Sequence, residues 1–289
     1  MALIRLKKTI RQPFTLILFL FNIAVVILSA SLPFFTFVKS LELKMFLDIV
    51  IASTFIISSI TTIYFASTSV SEEISDKTIF AIFSKPVSKF SYLFGNFLGL
   101  TFVSIILYSF TYIIVDFAYS YNHFNIYCVS SGKIGLFDFI SIYLYDILHL
   151  QQNLSFDGYL LKPSAESLII SFSSSVLSFF LISFMNTLFI VSISVALSPF
   201  VPFGLNLLIC LFVFSLSNVG SFIAENIPYL GDLLVLTLPR MDLFNISDAL
   251  TLGINFGVLF LLKLFLYSTF YSCFIIFISS KLLERKEFV

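Results

Sequence analysis

Residues 72–89, EEISDKTIFAIFSKPVSK, are a charged stretch between two long apolar runs at residues 46–67 and 92–115. Each run is longer than the roughly 20 apolar residues that a helix needs to cross about 30 Å of hydrocarbon. A short charged segment between two such runs is typical of a loop that joins two membrane spans. The chain is therefore expected to be an all-α polytopic membrane protein.

The composition of the whole chain agrees with this expectation. Hydrophobic residues make up 59% of the 289 residues and charged residues only 11%, whereas about 25% of an ordinary soluble domain is charged. The net charge is zero, so the balance of charge gives no indication of nucleic-acid binding. The three cysteines lie far apart, and His123 and His149 lack carboxylate neighbours, so no metal site or disulfide framework is predicted.

Six segments are long and apolar enough to cross a membrane. They predict a single transmembrane domain over residues 14–289, preceded by a separate segment at residues 1–13 and carrying outer loops at 117–167 and 225–251. The predicted spans are residues 14–38, 46–67, 92–115, 168–197, 202–224 and 252–283.

Lysines and arginines predict the orientation, because short basic loops stay in the cytoplasm. With the N-terminus inside, ten of these residues lie in the cytoplasm and five outside, and Lys263 falls within the last span. Both termini are therefore expected in the cytoplasm.

Two cytoplasmic segments have amphipathic patterns. Residues 1–13 place Leu3, Leu6 and Ile10 opposite basic residues, which predicts an amphipathic helix at the membrane surface. In the 72–89 loop, acidic residues suit the first turn of a helix, and Pro86 ends it. From the residues alone, this loop is either a solvated connection or a helix that fits the head groups or a groove on a partner.

Both outer loops carry apolar segments. Residues 136–148 have helical apolar spacing and predict a helix on the membrane surface or under an external protein partner. Residues 227–239 are too short for a span and too apolar for a water-exposed loop, which predicts a re-entrant hairpin. The candidate gate residues in this hairpin are Pro228, Gly231, Leu233 and Pro239.

The stretch from Glu72 to Gly99 resembles the cytoplasmic signature of type-2 ABC transporter permeases. These are the six-span membrane subunits of exporters, such as multidrug and nitrous-oxide-reductase-maturation permeases. Lys77 and Asn96 depart from the pattern, where Gly and Lys are common. The matching positions are Glu72 or Glu73, Thr78, Ile79, Ile82, Phe83, Ser84, Pro86, Val87 and Lys89, followed by LFGNFLG at residues 93–99.

The resemblance implies a permease subunit that couples ATP hydrolysis in a separate ATP-binding subunit to movement of a cargo. It implies a second permease copy, as a homodimer or related heterodimer, a lipid environment, and location in a bacterial inner membrane. The loop would be a coupling helix docked on the ATP-binding subunit. The candidate ATPase-coupling residues are Glu72, Glu73, Thr78, Ile79, Ile82, Phe83, Ser84 and Pro86.

No GxxxxGK[ST] phosphate-binding loop occurs in the sequence, so this chain is not expected to be an enzyme. It needs no cofactor of its own in this interpretation, and Mg-ATP would bind the partner subunit. The alternative function is a structural or partner-binding membrane scaffold that transports nothing. Lys263 also has two interpretations: a pathway residue, or a lysine that reaches the outer interface from a span that begins later.

Overall fold

The computed structural model describes residues 7, 9, 11–31, 39–75, 88–123, 165–226, 238–244 and 257–285. These residues form six helices and one 3-10 turn, and they contain no strand. The described part of the chain is therefore all-helical, as the sequence predicted. The helices are α1 (Pro13–Ser31), α2 (Lys39–Ser75), α3 (Lys89–His123), α4 (Ala165–Leu197), α5 (Phe203–Asn226) and α6 (Val258–Arg285), with the 3-10 turn at Met241–Phe244.

Five of the described helices are long and apolar enough to cross a membrane. In α1, the apolar part is Pro13–Ser29, about 25 Å long at roughly 1.5 Å per residue. The predicted first span continued to residue 38, but residues 32–38 lie outside the described part of the chain. A multi-pass membrane protein is thus confirmed, and a spanning role for α1 stays a prediction. The apolar cores of the other five are Met45–Val70, Lys89–Ala118, Leu177–Leu197, Phe203–Gly220 and Val258–Arg285.

Helix α4 is the centre of the bundle, because it packs against α2, α3, α5 and α6. Inside the bundle, 72% of its apolar core is buried, against 22% for the cores of α5 and α6. Helix α1 packs on α2 and α3. The start of α1, the C-terminal half of α2 and the start of α5 meet where the Tyr64 ring contacts Phe14 and Phe203.

Small polar residues let α6 approach α4 closely. Ser268, Ser272 and Ser279 are buried. The Ser272 hydroxyl donates to the Leu188 carbonyl at 3.3 Å, and the Ser279 hydroxyl donates to the Ala196 carbonyl at 2.8 Å. Helices in membranes associate through close packing and such hydrogen bonds, since lipid supplies little hydrophobic drive between them.

A buried carboxamide joins three helices. Asn206, at the start of α5, is completely buried, and its Nδ2 donates to the Ser67 hydroxyl of α2 at 2.8 Å. The same nitrogen lies 3.1 Å from the Ser194 carbonyl and 3.2 Å from its hydroxyl, both on α4. Its Oδ1 accepts from the Cys210 thiol. Through these bonds, Asn206 holds Ser67 of α2 and Ser194 of α4 beside the start of α5.

Replacing Asn206 by leucine is expected to lower the free energy of unfolding by about 1–2 kcal/mol, because these interhelical hydrogen bonds are lost. Asn218→Leu is the matched control on the same helix, since the Asn218 amide donates to the Phe214 carbonyl of its own helix. That change is expected to cost less than about 0.5 kcal/mol. Unfolding followed by circular dichroism in detergent measures both, and equal losses would contradict the role of Asn206.

The segment before α1 has helical backbone at Lys7, Thr9 and Arg11 and a bend at Gln12. Thr9 is buried, whereas Lys7 and Arg11 are exposed. The Thr15 hydroxyl donates to the Thr9 carbonyl at 2.6 Å, across the bend. The chain therefore changes direction just before Pro13, with two basic side chains pointing outward.

Three helices differ most from the predicted spans. Helix α3 extends beyond residues 92–115 at both ends, to Lys89 and His123. Helix α2 extends beyond residues 46–67 at both ends, to Lys39 and Ser75. Helix α6 begins at Val258 rather than at residue 252. Gly257 precedes its first turn, and the Gly257 carbonyl accepts from the backbone N–H groups of Phe260 and Leu261.

Candidate functional site

The end of α2 and the start of α3 flank the loop at residues 76–87. The apolar core of α2 ends at Val70, but the helix continues to Ser75, which carries the chain about 8 Å further at roughly 1.5 Å per residue. Helix α3 begins at Lys89, just after Ser88. These two helix ends are the roots of the loop that the sequence singled out.

A hydrogen bond to a carboxylate joins the two roots. The Tyr92 hydroxyl donates to Glu73 Oε2, and Tyr92 is completely buried. Hydrogen bonds to ionised acceptors are roughly twice as strong as neutral ones. The last turn of α2 is thus held against the first turn of α3.

Lys89 connects the start of α3 to the end of α6. Its Nζ donates to the Leu283 carbonyl at 3.0 Å and lies 3.5 Å from the Glu284 carbonyl. The last carbonyls of a helix have no partner within the helix, and a cation there also complements the helix dipole. The end of α2 and the start of α3 are therefore bonded to each other, and the start of α3 is also bonded to the end of α6.

Ser88 caps the start of α3. Its hydroxyl accepts from the Ser91 backbone N–H at 3.2 Å, and its carbonyl accepts from the Tyr92 N–H at 3.1 Å. A serine at this position satisfies one of the first N–H groups of a helix, which otherwise lack partners. The backbone that carries Lys89 and Tyr92 is therefore fixed where the loop ends.

Of the predicted coupling residues, Glu73 is the one whose side chain the structure describes. Glu72 lies in the last turn of α2, and its side chain is outside the described part. Sequence reasoning did not find Tyr92, and it took Lys89 only as a matching position. The coupling residues that lie outside the described part of the chain are Thr78, Ile79, Ile82, Phe83, Ser84 and Pro86.

Of the candidate gate residues, Pro239 is described, while Pro228, Gly231 and Leu233 lie outside the described residues. Pro239 is buried. The turn that follows it packs on the bundle, since the Arg240 backbone N–H donates to the Tyr267 hydroxyl of α6 at 3.0 Å. The C-terminal end of the predicted hairpin is therefore anchored on the helices.

Lys263 lies in the second turn of α6, and its side chain is exposed on the surface of the chain. It is about 8 Å from the start of the helix at roughly 1.5 Å per residue. From this depth, a lysine side chain can extend toward a membrane interface.

No group of three or more His, Cys, Asp or Glu side chains suited to a metal ion occurs within the part of the chain that the structure describes. Comparison of the chain with protein-family models, curated proteins and solved structures gave no significant match. The resemblance in residues 72–99 therefore supports a proposal and does not assign a family.

Proposed function

We propose that the chain is the membrane permease subunit of an ABC-type exporter or of an ATP-driven membrane extraction or assembly complex. A separate ATP-binding subunit hydrolyses ATP, and this chain couples the hydrolysis to movement of a cargo. The main support is the position of the signature: it lies where α2 and α3 are tied together by the bond between Glu73 and Tyr92.

A loop that receives force must be attached firmly to the helices that it moves. The two roots are bonded to each other through Glu73 and Tyr92, and Lys89 attaches them to α6. Further along α2, Ser67 bonds Asn206, which also holds α4. A displacement of the loop would therefore reach several helices of the bundle.

The proposed coupling helix, around residues 74–83, docks in a groove of the ATP-binding subunit, and the proposed elbow helix at 1–13 lies along the inner leaflet. Co-purification tests the proposal: a tagged chain, extracted in mild detergent from its native membrane, is expected to retain an ATP-binding cassette subunit. Mass spectrometry of the eluate identifies the subunit. Its absence under conditions that keep the bundle folded would refute the permease role and favour the scaffold.

The proposed orientation places the loop roots and both termini in the cytoplasm of a bacterial inner membrane. The test uses a chain whose cysteines at 128, 210 and 273 are replaced by alanine. Val258→Cys, at the exposed start of α6, is expected to react with a membrane-impermeant maleimide in intact cells. Lys281→Cys, near the other end of α6, is expected to react only after permeabilisation. The reverse pattern would overturn the orientation.

The proposed gate is the outer hairpin at residues 227–239, placed at the axis of a permease dimer. Non-helical backbone at membrane depth is tolerated only where protein covers it. On oxidation, Leu233→Cys in the cysteine-free chain is expected to form at least fivefold more disulfide-linked dimer than Val258→Cys, at the exposed start of α6. Non-reducing gels measure both products. Equal yields would mean that the hairpin does not lie at the dimer axis.

A further inference from the structure

The segment before α1 carries charge of a single sign. Arg5, Lys7, Lys8 and Arg11 are basic, and none of residues 1–41 is Asp or Glu. Two other charged stretches, residues 72–89 and 281–287, contain carboxylates among their lysines and arginines. The net charge of the whole chain is zero, so any affinity for an anion depends on where the charges are placed.

Lys7 and Arg11 are exposed on the same side of this segment. Both have helical backbone, and Thr9 between them is buried. Side chains four residues apart on a helix are neighbours, with about 5–6 Å between their Cβ atoms. Within the described part of the chain, neither side chain forms an ion pair or a hydrogen bond. Two unpaired cations therefore face outward together.

This basic pair has a fixed position at one end of the bundle. The Thr9 carbonyl accepts from the Gln12 backbone N–H at 3.3 Å and from the Thr15 hydroxyl at 2.6 Å. In the same turn of α1, the Phe14 ring packs on Tyr64 of α2 with centroids 4.3 Å apart. The pair is therefore held against the first turn of α1, beside α2.

The depth of the pair follows from the contact between Phe14 and Tyr64. Tyr64 lies six residues before Val70, where the apolar core of α2 ends, a distance of about 9 Å at roughly 1.5 Å per residue. Arg11 precedes Phe14 by three residues, and a long basic side chain can extend toward the polar interface. The pair is therefore near the level at which hydrocarbon gives way to lipid head groups.

An exposed apolar stripe on α1 follows the pair along the chain. From Leu16 to Leu28 the stripe is about 18 Å long at roughly 1.5 Å per residue, close to one leaflet, which is half of about 30 Å of hydrocarbon. Its members are Leu16, Ile17, Leu20, Phe21, Ile27 and Leu28. A cationic pair followed by an apolar stripe of this length complements an anionic head group with acyl chains.

We propose that Lys7 and Arg11 bind the phosphate of an anionic phospholipid, whose acyl chains lie along the exposed stripe of α1. Lysine and arginine side chains bind phosphate oxygens through charge-assisted hydrogen bonds. A zwitterionic lipid brings a cationic group beside the same phosphate, and the two side chains repel it. This lipid extends the proposed position of residues 1–13 along the inner leaflet. Its binding needs no ATP-binding subunit, so it does not rest on the proposed export function.

Native mass spectrometry of the purified full-length chain tests this proposal by counting bound lipids. The two probes are phosphatidylglycerol and phosphatidylcholine with the same palmitoyl and oleoyl chains. Each basic residue near an anionic lipid contributes about a factor of five in affinity, so the chain is expected to bind phosphatidylglycerol at least tenfold more tightly. Equal binding of the two lipids would overturn the proposal.

Two other outcomes would also overturn it. Equimolar glycerol 3-phosphate carries a phosphate but no acyl chains, and it should not displace the lipid; displacement would mean that the pair binds a free phosphate. Dimers of the chain that exclude the lipid would assign the exposed stripe of α1 to a second copy.

Variants locate the binding at the pair. Lys7→Gln combined with Arg11→Gln is expected to reduce the preference for phosphatidylglycerol to less than about threefold. The matched control is Lys281→Gln combined with Arg285→Gln, which removes two exposed basic residues at the same spacing from the end of α6, where Lys281 pairs with Glu284. The control should keep the tenfold preference. An unchanged preference in the first variant, or an equal loss in the control, would refute binding at the pair.

A conservative exchange separates charge from folding. Lys7→Arg combined with Arg11→Lys keeps both charges and should keep the preference. If the double glutamine variant does not fold, Lys7→Gln and Arg11→Gln are measured singly, and each is expected to lose about fivefold. Full preference in both single variants would refute the contact. Every lipid measurement uses the chain alone, so its failure is distinct from a failure to co-purify an ATP-binding subunit.

Discussion

Exchanging Glu72 and Glu73 together for lysine is expected to lower the ATPase activity of the proposed complex between this chain and an ATP-binding subunit by at least tenfold. The change reverses two charges at the root of the loop and removes the acceptor of the Tyr92 hydroxyl. A tenfold change corresponds to about 1.4 kcal/mol, and one hydrogen bond to a charged group contributes about 1.5–3 kcal/mol. The assay is ATP hydrolysis by the complex reconstituted in lipid nanodiscs.

Two further variants locate the effect. Glu284→Lys reverses one charge at the end of α6, where the Glu284 side chain is exposed and pairs with Lys281, and it should change activity less than twofold. Tyr92→Phe removes the hydroxyl and keeps the ring, so a smaller loss of about two- to fivefold is expected. Full activity in the double lysine variant, or an equal loss in Glu284→Lys, would exclude coupling through these roots.

Replacing Phe244 by alanine is expected to lower the free energy of unfolding by about 3 kcal/mol, the lower end for a buried phenylalanine. Phe244 is 5% exposed, and its ring packs edge-on against Phe189 of α4 with centroids 5.4 Å apart. The lost contact would release the 3-10 turn from the bundle. Equilibrium unfolding in detergent, followed by circular dichroism, measures the change.

Leu243→Ala is the control for this prediction, because the neighbouring Leu243 side chain is 43% exposed. Leu243→Ala is expected to lower the free energy of unfolding by less than about 1 kcal/mol. Similar losses in the two variants would mean that the turn is not anchored through Phe244. The comparison also tests whether the C-terminal end of the proposed gate has a fixed position.

The hydropathy of the sequence predicted where hydrocarbon surrounds the helices but not where the helices end. Helix α2 continues to Ser75 because residues 68–75 contain no proline or glycine to stop it once it leaves the apolar core. Helix α6 begins at Val258, directly after Gly257, although the apolar run in the sequence begins before Gly257. Span prediction uses average hydropathy, whereas helix ends depend on single residues.

The bonds around the loop could not be read from spacing along the chain. Tyr92 lies 19 residues from Glu73, and Lys89 lies 194 residues from Leu283. These pairs meet only because the helix ends gather at one end of the bundle. Asn206 and Ser67 are 139 residues apart, and a polar residue in an apolar span indicates a contact without naming its partner.

Under the proposed coupling, α2 pivots at the contact between Ser67 and Asn206, which divides the helix into two unequal arms. From Ser67 to the loop root at Ser75 is about 12 Å, and from Ser67 to Met45, near the other end of α2, is about 33 Å, at roughly 1.5 Å per residue. A tilt of about 5° around this contact would move the loop root by about 1 Å and Met45 by about 3 Å. Distances between spin labels at Ser75 and Met45 and a fixed label on α4 would measure this ratio. Under the proposed coupling, a displacement that enters at the loop is therefore expected to be more than doubled at the other end of α2.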